Sequence, residues 1–413
     1  MPLGLLRFAV SRAYPEPRMF RRHDALRPTY DAVIIGAGGH GLAAAYYLAR
    51  DHGMTNVAVL ERGYIGGGNT GRNTAIIRSN YLTPEGVAFY DESVKLWQDL
   101  SVDFDLNLFY STRGHFTLAH TDAAVRTMRL RAEVNKHYGV ASELVGPEDI
   151  RRACPEMDLT CGGHTPVMAA LHHKPGAIAR HDAVAWGYGR GADQRGVEIH
   201  QKTEVLGIDV AGGQVTGVKT NRGYVATPKV LCAVAGFTPR VLDMVGLRSP
   251  IYVHPLQAMV TEPMKPWLDP IIVSGSLHVY VSQSARGELV MGASLDPYEV
   301  HSTRSTLDFL EGLALHMLEL FPFLSEVKVN RQWAGMADMT PDFAPIMGTT
   351  PVAGFYLDAG WGTWGFKATP VCGKTMSYTV ANDRNHELIT SFNLARFEKY
   401  ELTGEKGAAS VGH

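Results

Sequence analysis

The stretch "YDAVIIGAGGHGLAAAYYLARDHGMTNVAVLERG", from Tyr30 to Gly63, constrains the fold more than any other part of the chain. A continuous apolar run, Ala32 to Ile35, reads as a strand buried on both faces, which is the habit of a parallel sheet. The chain then turns through Gly36-Ala37-Gly38-Gly39-His40-Gly41 into a helix rich in alanine and leucine. A second apolar run, Val57 to Leu60, ends in Glu61. Gly36 permits the tight turn, Gly38 lets backbone come up to a pyrophosphate, and Gly41 lets the helix pack close to the strand. The helix start offers N–H groups and the positive end of its dipole to phosphates. Glu61 lies 20 residues beyond Gly41, where a carboxylate accepts both ribose hydroxyls and disfavours a 2′-phosphate. Strand, turn, helix, strand and acid in register predict a bound adenine dinucleotide, with Gly36, Gly38, Gly39, His40, Gly41 and Glu61 around it.

The segment after Glu61 decides between FAD and NAD. "GYIGGGNTGRNTAIIRSNY" carries three glycines at 66 to 68, then Asn69, Thr74, Ile76 and Arg78. Such a loop runs along a ribityl chain and pyrophosphate toward an isoalloxazine, whereas a nicotinamide enzyme continues with further strand–helix repeats. "TEVLGIDVAGGQVTGVKTNRGYVATPKVLCAVAG" reads as strand, meander and strand, with the backbone of Val205 set to meet the adenine. "GFYLDAGWGTWGFKATPVCG" is again strand, glycine-rich turn and helix, which puts Gly362, Gly365 and Lys367 beside the flavin ring.

A length of 413 residues exceeds one simple core and predicts two domains. The formal charge of −2 gives no basic field for nucleic acid or an anionic membrane, so neither is expected as a partner. No run reaches transmembrane length. The four cysteines, Cys154, Cys161, Cys232 and Cys372, form no CxxC pair and no secretory framework, which places the chain in a reducing cytoplasm. The arginine-rich first residues lack a long apolar region and a small-residue cleavage site, and read as an arm on the body or on a partner subunit. No zinc ligand set is visible.

Together, "GGHGLAAAYYLAR", "GGGNTGRNTAIIRSNYL", "ARHDAVAWGYGRGADQRGVEI", "HPLQAMVTEP", "HVYVSQSARGELVMGA" and "GWGTWGFKATP" resemble the D-amino-acid oxidase and sarcosine oxidase group of flavoproteins. Within it, the similarity is nearest to the β subunits of heterotetrameric sarcosine oxidases and covers nearly everything after Tyr30. The resemblance implies oxidative demethylation of a small secondary amino acid, most simply sarcosine to glycine. It implies noncovalent FAD, since "QWAGMADMTPDFAPIMG" has no cysteine where monomeric relatives attach theirs. It also implies a large α subunit and small γ and δ subunits as partners, which would carry any zinc, NAD or folate the assembly uses.

In those β subunits a histidine in a "KHD" or "RHD" stretch carries covalent FMN, and here that position is His181. On packing alone His181 reads as a core histidine facing inward with Val184, Ala185 and Tyr188. Flavin attachment needs a neutral imidazole, and a helix N-terminus disfavours the imidazolium. His172 and His173 fall in a Lys-Pro-Gly turn and are expected at the surface. Arg78 and Lys367 occupy the places of carboxylate- and flavin-facing cations, where a small amino acid needs a clamp. Alternation puts His278 and Tyr280 on one face of a strand, either toward the flavin or along a wet sheet edge. No counterpart is seen to the lysine with which monomeric relatives activate oxygen, which favours passing electrons on to FMN. Trp364 stands where a small residue is expected and reshapes the pocket.

The expected fold is α/β plus antiparallel β. A discontinuous Rossmann-like FAD-binding domain (28–108, 163–248 and 338–390) is joined to a smaller mixed-sheet substrate domain (109–162 and 249–337), with an N-terminal arm (1–27) and a C-terminal tail (391–413). "TDAAVRTMRLRAEVNKHYG" reads as an amphipathic helix of the substrate domain. The rival readings are a related amine dehydrogenase subunit, such as that of N-methylglutamate dehydrogenase, and a noncatalytic flavin-binding scaffold. Arg78, Lys367 and His181 together speak against the scaffold.

Overall fold

The computed structural model describes residues 10–11 and 19–405. Its centre is a six-stranded sheet built from segments far apart in the chain. The order is Ile346–Thr349, Phe355–Ala359, Val230–Cys232, Ala32–Ile35, Val57–Glu61 and Glu198–Gln201. Five strands are parallel and only Ile346–Thr349 runs antiparallel, at one edge. Both faces are covered, and the two-residue period of a strand divides the side chains between them. Ala32, Ile34, Val57 and Val59 face a layer of three helices, Gly39–His52, His181–Gln194 and Gly365–Asn382. Val33, Ile35, Ala58 and Leu60 face an antiparallel meander, Val205–Ala211, Gln214–Thr220 and Gly223–Ala226. This is the nucleotide-binding architecture expected from the sequence.

A second sheet of eight strands is mixed. Its order is Val329–Met339, Tyr252–Pro263, Glu288–Leu295, Val279–Gln283, Ile271–Ser274, His115–Ala119, Ala169–His173 and Ser142–Val145. Only Ile271–Ser274 and His115–Ala119 run parallel to each other. One face buries Met259, Val279, Val281 and Met291 against the helix Leu307–Leu320. The predicted amphipathic helix is present as Asp122–His137, begun by the Thr121 side chain accepting from the Ala124 N–H, and it covers Ala119 and Leu171.

Three particulars differ from the sequence reading. Ala169–His173, placed among the cofactor-binding segments, pairs instead with His115–Ala119 in the larger sheet, and Val329–Met339 runs across the expected border at 338. His173 is not in an exposed turn. It is fully buried, accepts from the Ser79 N–H at Nε2 (3.1 Å) and meets the Ser142 hydroxyl at Nδ1 (3.0 Å). Of the terminal segments, residues 19–27 lie against the body, where the Arg21 N–H donates to Asp193 and Arg27 pairs with the buried Glu198 at 2.7 Å. Residues 1–9, 12–18 and 406–413 lie outside the described part. Among the described residues no helix is long and apolar enough to cross a membrane.

Candidate active site

The glycine-rich turn after Ile35 does what its sequence requires. Gly36 has φ +107°, and a Cβ there would stand 2.4 Å from the carbonyl oxygen of Ala233. A Cβ on Gly41 would stand 2.0 Å from the carbonyl oxygen of Gly36, so the helix can pack this tightly only without a side chain there. The helix cap, Gly38, supplies no side-chain acceptor and the first turn holds no acid, so its positive end is left for a ligand. Gly36, Gly38, Gly39 and His40 line a cleft of about 530 Å3, within the size of cofactor sites. Glu61, Asn69, Val205, Gly362 and Gly365 line the same cleft, whereas Gly41 acts from behind it through packing.

The polar groups of the cleft hold one another in place. Glu61 accepts from the Ala37 N–H (3.0 Å) and the Gly63 N–H (2.6 Å), which fixes the loop while leaving lone pairs for ribose hydroxyls. Asn69 clasps the backbone of Met336, donating to its carbonyl at 2.6 Å and accepting from its N–H at 3.0 Å. It thereby ties the glycine loop to the large sheet. His40 lies between Asp358 (3.1 Å) and the carbonyl of Gly365 (2.7 Å). Burial pulls its imidazole down, but the Asp358 carboxylate outweighs this and leaves it raised. Asp358 also accepts from Trp361 Nε1 and the Cys372 thiol, so these groups form a satisfied network. The buried Asp338 accepts from the N–H groups of Gly360 (2.7 Å) and Trp361 (3.2 Å). Burial pushes its carboxyl up to about 6, and the charge of Asp358 adds to this.

At its inner end the cleft shares Asn69, Arg72, Asn73, Met336, Gly362 and Phe366 with a second, smaller cavity of about 130 Å3. Arg78, Lys367, Tyr280, Thr74 and Ile76 line it, so five of the residues expected near the flavin or substrate meet here. Arg78 donates to Asn80 Oδ1 at 2.8 Å and lies over the Tyr81 ring. Lys367 is buried, its Nζ 3.4 Å from the carbonyl of Thr363. Burial and the neighbouring Arg78 hold its amine well below the ordinary lysine value. Trp364 closes one wall, edge-on to Tyr81.

The cavity also contains a residue that no sequence motif singled out, His115. It sits 2% exposed on the central strand His115–Ala119, directly across from His173. The signal is present in "GHFTLAH": polar His115 and Thr117 alternate with Phe116 and Leu118, which enter the core on the opposite face. Burial, then Arg78, His173, Lys367 and Arg131, hold its imidazole well below the ordinary value.

Two expected residues do not join. His278 is not on the strand that carries Tyr280. It sits at φ +52° in the turn before it, which breaks the alternation, and its ring lies near His316, lining neither cavity. His181 is the first residue of its helix and likewise lines neither cavity. Its Nδ1 is buried without a hydrogen-bond partner, and burial lowers the imidazole below its ordinary value. Behind it Val184, Ala185 and Tyr188 are buried, with Tyr188 edge-on to Phe104.

A family model described as FAD dependent oxidoreductase matches residues 31–379. The chain is 45% identical over 401 residues to a sarcosine oxidase subunit beta of Arthrobacter sp, covering 97% of each. It is 41% identical over 401 residues to one of Rhodobacter capsulatus, covering 97% of this chain and 94% of that one. Among solved structures, L-proline dehydrogenase from P. horikoshii superposes with a TM-score of 0.85 at 26% identity, covering 91% of this chain and all of that one.

Proposed function

The chain belongs to the FAD-dependent oxidoreductase family, and from that premise we propose that it oxidises a secondary amino acid of the sarcosine type as the β-type subunit of a larger assembly. It is an FAD-dependent amine oxidoreductase. The observation that carries the narrower reading is the small cavity itself. It opens directly on the dinucleotide cleft, it is lined by Arg78 and Lys367, and among its described lining residues there is no carboxylate. Such a space recruits the carboxylate of an amino acid.

Bound FAD supplies the acceptor for the electron pair of the C–H bond next to nitrogen. The chain does the rest. The start of Gly39–His52 would hold the pyrophosphate and Glu61 the ribose, since both line the cleft. Arg78 and Lys367 hold the substrate carboxylate, which fixes the orientation of the reacting carbon. Trp364, Phe366 and Met336 keep the cavity apolar on the remaining sides.

On this reading His181 would hold a covalent FMN, which would supply an onward electron acceptor. In support, burial lowers the imidazole below its ordinary value, its Nδ1 has no competing partner, and Trp186 on the same helix exposes its side chain nearby in sequence. The β-subunit relatives support a multisubunit setting, with α, γ and δ subunits as the proposed partners.

Anaerobic addition of sarcosine to the FAD-loaded protein tests the reaction. Bleaching of the flavin band is expected, and no bleaching with sarcosine or with N-methylglutamate would remove the amine-oxidase reading of the cavity. Acid precipitation of the assembled protein tests His181. Colour retained by wild type and lost by His181→Ala is expected, and release of all flavin by wild type would make His181 a packing residue.

A further inference from the structure

We propose that His115 takes the ammonium proton of the bound amino acid, so that the substrate is held as an anion with a neutral amine. This rests on the amino-acid reading of the cavity. Arg72, Arg78 and Lys367 line the space together with His115, and among its described lining residues there is no aspartate or glutamate. A zwitterion entering it brings a carboxylate that these cations attract and an ammonium that they repel, in surroundings too dry to screen either. Neutralising the amine removes the repulsion. It also frees the nitrogen lone pair next to the C–H bond that must break.

The geometry points to His115 as the destination. Hydroxyl, amide and guanidinium groups are not proton acceptors at neutral pH, and the Lys367 amine is assigned here as the cation that meets the substrate carboxylate. The imidazole is buried in the cavity wall, and its Nδ1 is 3.5 Å from the Thr117 hydroxyl, too long to commit the ring. Tyr280 on Val279–Gln283 also lines the cavity, and the buried Glu405 acts on Arg78 and Arg131. The groups that act on the ring most strongly come from four other elements and are basic. They are Arg78 after the strand Ile76–Ile77, Arg131 on Asp122–His137, His173 on Ala169–His173 and Lys367 on Gly365–Asn382. Without an anion beside them they hold the imidazole's proton affinity low. The arriving carboxylate offsets them, which lets the imidazole carry charge only while substrate is bound. In the transfer an ammonium N–H bond breaks, its electron pair stays on nitrogen, and the proton forms an N–H bond on the imidazole. No proton is exchanged with solvent.

Isobutyrate and α-aminoisobutyrate test this on the FAD-loaded protein, because neither carries a hydrogen on a carbon bonded to nitrogen and so neither is oxidised. Calorimetry in two buffers of different ionisation enthalpy counts the protons exchanged on binding. For wild type, isobutyrate should draw about one proton from solvent and α-aminoisobutyrate about none. In His115→Gln, isobutyrate should draw none and α-aminoisobutyrate should release about one. The variant's turnover of sarcosine should fall by roughly 10²-fold or more, the scale of a lost proton acceptor. Release of a proton when wild type binds α-aminoisobutyrate, or binding of isobutyrate without uptake, would overturn the assignment even if the variant does not fold. Uptake undiminished in His115→Gln would also overturn it. If neither carboxylate perturbs the flavin spectrum, the amino-acid reading itself fails and this inference with it.

Discussion

Asp338→Asn should stabilise the protein in a pH-dependent way. The Asp338 carboxyl is 1% exposed in the wall of the dinucleotide cleft, and burial with the nearby Asp358 charge raises it from 3.8 to about 6. In the unfolded chain it ionises near its ordinary value. The folded protein therefore binds the extra proton between pH 4 and 6, and stability is lost as pH rises through that window. A carboxyl moved up by this much carries a cost of about 3 kcal/mol when ionised. Asparagine keeps an oxygen for the N–H groups of Gly360 and Trp361 and has no charge. Its amide leaves a new donor to satisfy, at about 1 kcal/mol. The net gain at pH 8 is thus about 2 kcal/mol, falling to nothing or a slight loss below pH 4. Urea unfolding midpoints of wild type and variant across pH 4–8 measure this. The same charge removal should tighten FAD binding at pH 8, since it lowers the negative potential near the pyrophosphate. A difference that is constant with pH, or a variant less stable at pH 8, would refute the reasoning.

Four further variants have outcomes expected from the geometry. Gly41→Ala must push the helix away from the carbonyl of Gly36, so it should cost about 1–3 kcal/mol of stability and weaken FAD retention on gel filtration. Lys367→Met removes a buried cation from the substrate carboxylate and should raise KM by about 30-fold or more, while His278→Ala should leave kcat/KM within about twofold. Arg396→Met strands the carboxylate of Asp342, with which Arg396 makes two fully buried bonds of 2.8 and 2.9 Å, and should cost about 3–5 kcal/mol in urea unfolding.

Local requirements made the glycine-rich cleft legible. A turn that needs a positive φ, a helix that must approach a carbonyl and an acid at the next strand end are written in consecutive residues. The small cavity was legible only where motifs ended in it, at Thr74, Ile76, Arg78, Tyr280 and Lys367. His115 and Asp338 reach their sites through strand register, which a single sequence does not state. His173 was misplaced for the same reason: the Lys-Pro-Gly signal is real, but the strand ends one residue before it, so the histidine still pairs across from His115. At His278 the alternation rule fails because the strand starts one residue later, and the histidine belongs to the turn.

The central sheet seats Val230–Cys232 between Ala32–Ile35 and Phe355–Ala359. The first strand pairs early with Val57–Glu61 but waits, during synthesis, for its other neighbour, Val230–Cys232, which is made far later in the chain. Until the helix Gly365–Asn382 emerges and packs on Gly39–His52, one wall of the glycine-rich turn is missing. Cofactor loading is thus a late event in the life of the nascent chain. The half-built sheet, apolar on both faces, is the species most exposed to aggregation. Supply of flavin during expression should govern how much protein reaches the soluble fraction.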